Sequence, residues 1–185
     1  MIVLFMHAPY VCLKIAVKAE NQRKLADEGG VEVLIDLLPS RNVHVARQAA
    51  KALANLGVNS ENKATIARKG GVPPLVRLVA NSVESVQVEA VAALANLAVN
   101  DDNEALIGEE GGIEHILSCA SSNNVELKAQ AARALRNLSV NANNKAIIEG
   151  HGGARILEDL SHSKHDRIRS QAARALVNLG FSQRK

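Results

Sequence analysis

Ala90-Val91-Ala92-Ala93-Leu94-Ala95-Asn96-Leu97-Ala98-Val99-Asn100 recurs, with small changes, three more times in this chain. The copies run from Ala49 to Asn59 (AAKALANLGVN), Ala131 to Asn141 (AARALRNLSVN) and Ala172 to Ser182 (AARALVNLGFS). Their central asparagines, Asn55, Asn96, Asn137 and Asn178, are evenly spaced along the chain. The interval, about 41 residues, marks a stacked array in which each unit buries its apolar face only against its neighbours. The Ala/Leu spacing within the motif is helical, so the fold class is an all-α solenoid.

The units can be read in order. Residues 1–19 are expected to be the last helix of a partial N-terminal repeat, a cap. One period back from Asn55 stands Lys14, flanked by apolar Leu13, Ile15 and Val17, with Tyr10 and His7 at outward positions. The abrupt start reads as that of a fragment or of an aberrant gene product. Four units follow at 20–59, 60–100, 101–141 and 142–182, with a tail at 183–185. Each opens on a short helix expected over Asn21 to Glu28, Asn62 to Lys69, Asn103 to Glu110 and Asn144 to Gly150. A glycine pair closes it: Gly29-Gly30, Gly70-Gly71, Gly111-Gly112 or Gly152-Gly153. Glycine accepts the positive φ that ends a helix in a sharp turn. A second helix, a polar linker and the long third helix complete the unit, giving three helices per repeat. In the second unit Pro73-Pro74 opens the second helix, where a missing N–H costs least.

Composition narrows the function classes. The chain is 47% hydrophobic with two Phe, one Tyr and no Trp, so its apolar content is Ala, Leu, Val and Ile, suited to close helix stacking. Cys12 and Cys119 stand alone in apolar segments and read as reduced core thiols of an intracellular protein. The N-terminal apolar run is five or six residues without a basic leader, too short for a signal core or a membrane span. No other stretch is long enough, and a cytoplasmic or nuclear location is expected. Formal charge is +3, but residues 121–185 hold 11 Lys/Arg against 5 Asp/Glu while the first 120 hold 11 against 14. That asymmetry points to an acidic partner along the C-terminal half.

Catalysis and cofactors are not expected. The glycine pairs lack GxxxxGK[ST], and no nucleophile–base pair or metal-ligand spacing recurs. His162, His165 and Asp166 sit together in a linker that reads as a solvated loop. The sequon Asn137-Leu138-Ser139 lies inside the third helix. Nucleic-acid binding by the basic half is disfavoured, because single-strand readers rely on aromatic platforms and Phe5, Tyr10 and Phe181 all lie off the repeated stripe. Self-association through incomplete terminal repeats is the alternative to partner binding.

The third helix carries the most informative pattern. With each central asparagine as position zero and about 100° per residue, positions −11, −7, −4 and 0 fall in a stripe about 60° wide. The stripe reads His44, Gln48, Lys51, Asn55; Ser85, Glu89, Ala92, Asn96; Glu126, Gln130, Arg133, Asn137; and Arg167, Gln171, Arg174, Asn178. Fifteen of the sixteen are polar, whereas positions −6, −5, −3, −2 and +1 are Ala, Val or Leu in every copy. Such a helix is buried on all sides but one line. An asparagine amide can both donate to and accept from backbone groups. Two uses are open for it: holding an extended partner backbone, or an internal one, capping its own helix or bridging the repeats.

Three-helix units with a Gly-Gly turn and a closing ALxNL resemble armadillo repeats, as in importin-α, β-catenin and vacuolar armadillo scaffolds. The resemblance covers residues 20–182. It implies a right-handed superhelix whose third helices line a concave groove, a role in protein recognition, and peptide-backbone contact by Asn55, Asn96, Asn137 and Asn178. In importin-α-like repeats position −4 is commonly Trp, and an acidic −7 residue pairs with basic cargo. Here position −4 is Lys51, Ala92, Arg133 and Arg174, and position −7 is Gln48, Glu89, Gln130 and Gln171. This departure argues against a nuclear-import adaptor. It favours an acidic or phosphorylated extended segment contacted by Arg133, Arg136, Arg167 and Arg174, since arginine pairs bidentately with carboxylate and phosphate.

Overall fold

The computed structural model describes residues 19–181, and every regular element among them is an α-helix. The helices come in threes: α1 (Ala19–Asp27), α2 (Gly30–Leu37), α3 (Val43–Leu56); α4 (Ser60–Arg68), α5 (Val72–Asn81), α6 (Glu84–Leu97); α7 (Asp101–Glu109), α8 (Gly112–Ala120), α9 (Val125–Leu138); and α10 (Ala142–Gly150), α11 (Gly153–Ser161), α12 (Asp166–Asn178). The expected cap at 1–19, with His7, Tyr10 and Cys12, lies outside the described residues except for Ala19. So do Ser182 and the tail at 183–185.

The first helices of the later units start two residues before the expected positions, and the cause is capping. Asn59 accepts the N–H groups of Glu61 and Asn62 at 2.9 and 3.2 Å, and Asn141 those of Asn143 and Asn144 at 2.9 and 3.1 Å. Asn100 accepts from Asn103 at 3.1 Å. These side chains satisfy N–H groups that a helix start leaves without intrahelical partners. The last residue of the repeated motif therefore opens the next helix rather than closing the previous one.

The two glycines of each turn serve different needs. Gly111 has φ 75°, a left-handed conformation that L side chains rarely adopt. A Cβ on Gly112 would lie 2.9 Å from both the carbonyl oxygen and Cγ2 of Ile107, so the second glycine is required by close approach.

The third helices form the spine. α3 packs on α6, α6 on α9 and α9 on α12. Ala49, Ala90, Ala131 and Ala172 are fully buried in this series, and their small side chains let neighbouring helices approach closely. Leu53, Leu94 and Leu135 fill the remaining space with at most 1% exposure. Leu135→Ala is expected to cost about 2–5 kcal/mol, the range for truncating a buried leucine, as a lower urea midpoint at constant slope.

The first helices are tied by a ladder of their own. Asn62, Asn103 and Asn144, all buried, donate from Nδ2 to the backbone oxygens of Gln22 (3.3 Å), Lys63 (3.2 Å) and Glu104 (2.9 Å) in the preceding unit. Glu104 adds a second tie, because its Oε1 accepts the Asn141 N–H at 2.5 Å while its side chain is buried. Burial raises its carboxyl above the ordinary 4.5; the Asp101 charge adds to this, and backbone N–H groups of Asn141 and Val140, with Lys145, oppose it. A raised folded-state pKa means this group's contribution is full below the unfolded pKa and is lost as pH rises through the folded one. Glu104→Gln should therefore gain in urea midpoint relative to the wild type between pH 4 and pH 7. An unchanged difference across that window would contradict this assignment.

Candidate functional site

The stripe on α3, α6, α9 and α12 is assembled by the stacking just described, and its members divide into three kinds. The central asparagines are half-buried. Asn96 Nδ2 donates to Ala54 O at 2.7 Å, Asn137 Nδ2 to Ala95 O at 2.8 Å, and Asn178 Nδ2 to Arg136 O at 3.0 Å. Each acceptor is the residue before the preceding repeat's asparagine, in the last turn of a third helix, where carbonyls run out of intrahelical donors. The equivalent acceptor for Asn55 falls one period back, at position 13, outside the described residues. Of the two uses the sequence leaves open, repeat bridging is thus observed for three asparagines. Asn178 Nδ2 also donates to Ser139 Oγ at 3.1 Å, whereas Asn96 and Asn137 each keep a second amide hydrogen for other contacts. The Oδ1 of all three remains as an acceptor.

The second kind is a set of cations held by the chain's own carboxylates. Glu89 Oε1 lies 3.6 Å from both Lys51 Nζ and Arg47 Nη2. Glu126 receives Arg167 Nη1 at 3.2 Å on Oε2 and 3.4 Å on Oε1, and Gln130 Nε2 at 2.6 Å on Oε1. Glu126 is readable from sequence as a stripe member but not as the hub of a network. A signal for it exists: it shares position −11 with Arg167, so stacking sets opposite charges side by side. Arg47 escapes the sequence pattern because its position, −8, is Val88, Ala129 and Ser170 in the other units.

The third kind is cationic side chains without a carboxylate partner. Arg133 Nη2 donates to Ala92 O at 3.2 Å, lying over the one stripe position that has no polar side chain. Burial and then the neighbouring charge of Arg167 pull its guanidinium below the ordinary value, with Glu126 opposing. Its Nε is buried and finds no acceptor among the described residues, as is true of Gln130 Oε1 and Gln48 Oε1 for donors. Arg136 Nη1 reaches Gln171 Oε1 at 3.4 Å, and Arg174 is exposed with no ion-pair partner among the described residues. The stripe therefore changes character along the stack. In its N-terminal half Glu89 is shared by Arg47 and Lys51, and its C-terminal half presents Arg133, Arg136 and Arg174 without a carboxylate partner among the described residues.

Among the described residues no three His, Cys, Asp or Glu side chains converge on a metal-sized site, and no helix is long and apolar enough to cross a membrane. Cys119 is buried and free, and its thiol is pushed up to about 11 by burial and then by the charge of Glu84, which keeps it in the unreactive protonated form.

Comparison with known proteins bears on the same arrangement. The family model described as Armadillo/beta-catenin-like repeat matches residues 18–58, 59–99 and 100–140. No curated protein sequence matches the chain. A crystal structure of an engineered protein superposes with TM-score 0.88 at 35% identity, covering 92% of this chain and 71% of that one. A designed armadillo repeat protein gives TM-score 0.86 at 28% identity, covering 91% and 72%. Another, in complex with peptide (KR)4, gives 0.84 at 27%, covering 92% and 73%.

Asn137→Ala should lower stability by about 1–3 kcal/mol, because it leaves the Ala95 carbonyl without its side-chain donor. Chemical denaturation of the folded chain measures this directly. A change within about 0.5 kcal/mol, the level of an ordinary surface substitution, would mean that the amide does not bridge the repeats.

Proposed function

Since the chain belongs to the armadillo/β-catenin-like repeat family, we propose that it is a non-catalytic protein-binding scaffold whose third-helix groove holds an extended acidic segment of a partner protein. The observation that carries this reading is the cluster of cations without a carboxylate partner among the described residues: Arg133, Arg136 and Arg174 on the last two third helices. A carboxylate of the partner supplies what these guanidiniums lack, and arginine can bind it bidentately. The Oδ1 atoms of Asn96, Asn137 and Asn178, with the second amide hydrogens of Asn96 and Asn137, are available to an extended backbone beside them.

The designed relative that carries (KR)4 holds a basic peptide. A peptide of that charge would here face Lys51, Arg133 and Arg174 at position −4, and only Glu89 at position −7 is acidic. Stacking of copies end to end is the competing reading. The outward face of the fourth unit is mixed: Glu158, Ser161 and Ser170 stand where the third unit buries Leu117, Ala120 and Ala129, beside apolar Ala173, Leu176 and Phe181.

Fluorescence anisotropy with an acidic and a lysine-rich extended peptide tests the proposal. The acidic peptide should bind, weaken with salt, and lose about tenfold or more in affinity to Arg133→Glu/Arg174→Glu, as expected when close charge pairs become like-charged. Tighter binding of the lysine-rich peptide would refute it.

A further inference from the structure

We propose that the outward face of the fourth unit docks an amphipathic helix of a partner protein, one whose apolar stripe is flanked by a basic and an acidic residue. The face lies on the far side of α12 from the groove stripe, and the proposal is independent of what the groove binds.

The stack itself shows what such a face holds. Each earlier unit has the same face, and helices of the following unit cover it: α8 meets α10 and α11, and α9 meets α12. On the fourth unit the corresponding face, between α11 and α12, is open among the described residues and forms a trough of about 1040 Å³. Ala154, Ala173, Leu176 and Phe181 supply its apolar lining. Phe181 is brought there by the backbone of Gly180. The equivalent Gly57, Ala98 and Ser139 have φ −68°, −65° and −79°, and the chain runs on into the next first helix. Gly180 has φ 95°, its N–H donates to Val177 O at 3.0 Å, and the Phe181 N–H donates to Leu176 O at 2.9 Å. That turn folds the chain back at the end of α12.

The charges decide the kind of occupant. A Cβ on Gly71, Gly112 or Gly153 would lie 3.3, 3.2 or 3.1 Å from Ile35, Val76 or Leu117 of the preceding unit, so each glycine turn rests on an apolar residue. In the fourth unit that place belongs to Glu158, which lines the trough, exposed and without a cationic partner among the described residues. A further unit stacked in the same register would bury this carboxylate under its glycine turn, and burying an unpaired charge is costly. One turn earlier, Glu32 faces Lys69 at 2.6 Å and Glu114 faces His151 at 3.9 Å across their junctions. The fourth unit has Arg155 there, also exposed and unpaired among the described residues, and it would repel a cation so placed. Across the trough Arg169 already pairs with Asp166 and donates to Ser163 O at 2.9 Å, so α11 sets the charge preference. A single helix avoids both conflicts. Its stripe at i, i+3, i+4 and i+7 lies along the trough, while its flanks bring a cation to Glu158 and a carboxylate to Arg155.

Three labelled peptides, each about four turns long, would be titrated by anisotropy against the whole chain. All carry the same Leu/Ala stripe. The first has Lys and Glu on its flanks, the second Glu only, and the third is the first with a central proline. The Lys/Glu peptide should bind tighter than the all-Glu peptide, and Glu158→Lys should reverse that order, since it leaves only cations on α11. Ala173→Arg, checked for folding by circular dichroism, should fill the trough and weaken binding about tenfold or more. Arg133→Glu/Arg174→Glu should leave binding of the Lys/Glu peptide unchanged, which separates this face from the groove. Binding of no peptide, equal binding of the proline peptide, or indifference to Ala173→Arg would overturn the proposal. Sedimentation supplies the remaining arm: a dimer of the wild type that Ala173→Arg dissociates would assign the face to a second copy of the chain instead.

Discussion

The hydrogen bond from each central asparagine to the last turn of the preceding third helix is the contact on which the stack depends. A helix end leaves carbonyls without donors, and burying such an end unsatisfied is costly. Here the carbonyls of Ala54 and Ala95 are completed by Asn96 and Asn137 of the following repeat, and that of Arg136, which also accepts from Ser139 Oγ at 2.8 Å, gains Asn178. Each unit therefore finishes its predecessor. A second ladder, Asn62, Asn103 and Asn144, repeats the tie on the first helices. With two directional bonds per junction, and alanines between the spine helices that admit only close approach, repeats have one register in which to stack. Directional bonds matter because an apolar Ala/Leu surface alone would tolerate sliding.

These constraints explain which parts of the molecule are legible in the sequence. The repeat period, the glycine pairs and the alternation of buried and polar positions on the third helix are local patterns, and all appear in the fold. Helix starts are displaced from their expected positions because Asn59, Asn100 and Asn141 read as the tail of one motif while physically capping the next helix. The ladder of Asn62, Asn103 and Asn144 recurs at the same period, but a buried asparagine cannot be told from an exposed one until its neighbour is placed. The groove network is least legible. Whether Glu126 meets Arg167, or Arg133 lies over Ala92, depends on side-chain directions across a junction rather than on spacing along a chain.

Charge along the groove has to be counted after its internal pairs are removed. By sequence the stripe and its flanks hold Arg47, Lys51, Arg133, Arg136, Arg167 and Arg174 against Glu89 and Glu126. In the structure Glu89 lies between two of these cations and Glu126 holds a third. The cationic residues left without a carboxylate cluster on α9 and α12, where the basic excess of residues 121–185 also lies. The long-range positive field and the locally unpaired cations thus coincide at the same end of the stack.

Stability and recognition are consequently separated along a single helix. Position 0 faces the previous repeat and spends a donor on it, so replacing it weakens the stack whatever the ligand. Positions −4, −7 and −11 lie one to three turns away on the same stripe and vary from repeat to repeat: Ala92, Arg133 and Arg174 occupy equivalent places on equivalent helices, and the ties such residues make across junctions, Arg133 to Ala92 O or Arg167 to Glu126, are not repeated along the stack. That freedom is why an aromatic, a cation or an alanine can stand at position −4 of the same architecture without disturbing it. The family and fold support a protein-binding scaffold, and the positions that vary most between otherwise equivalent helices are those of the stripe.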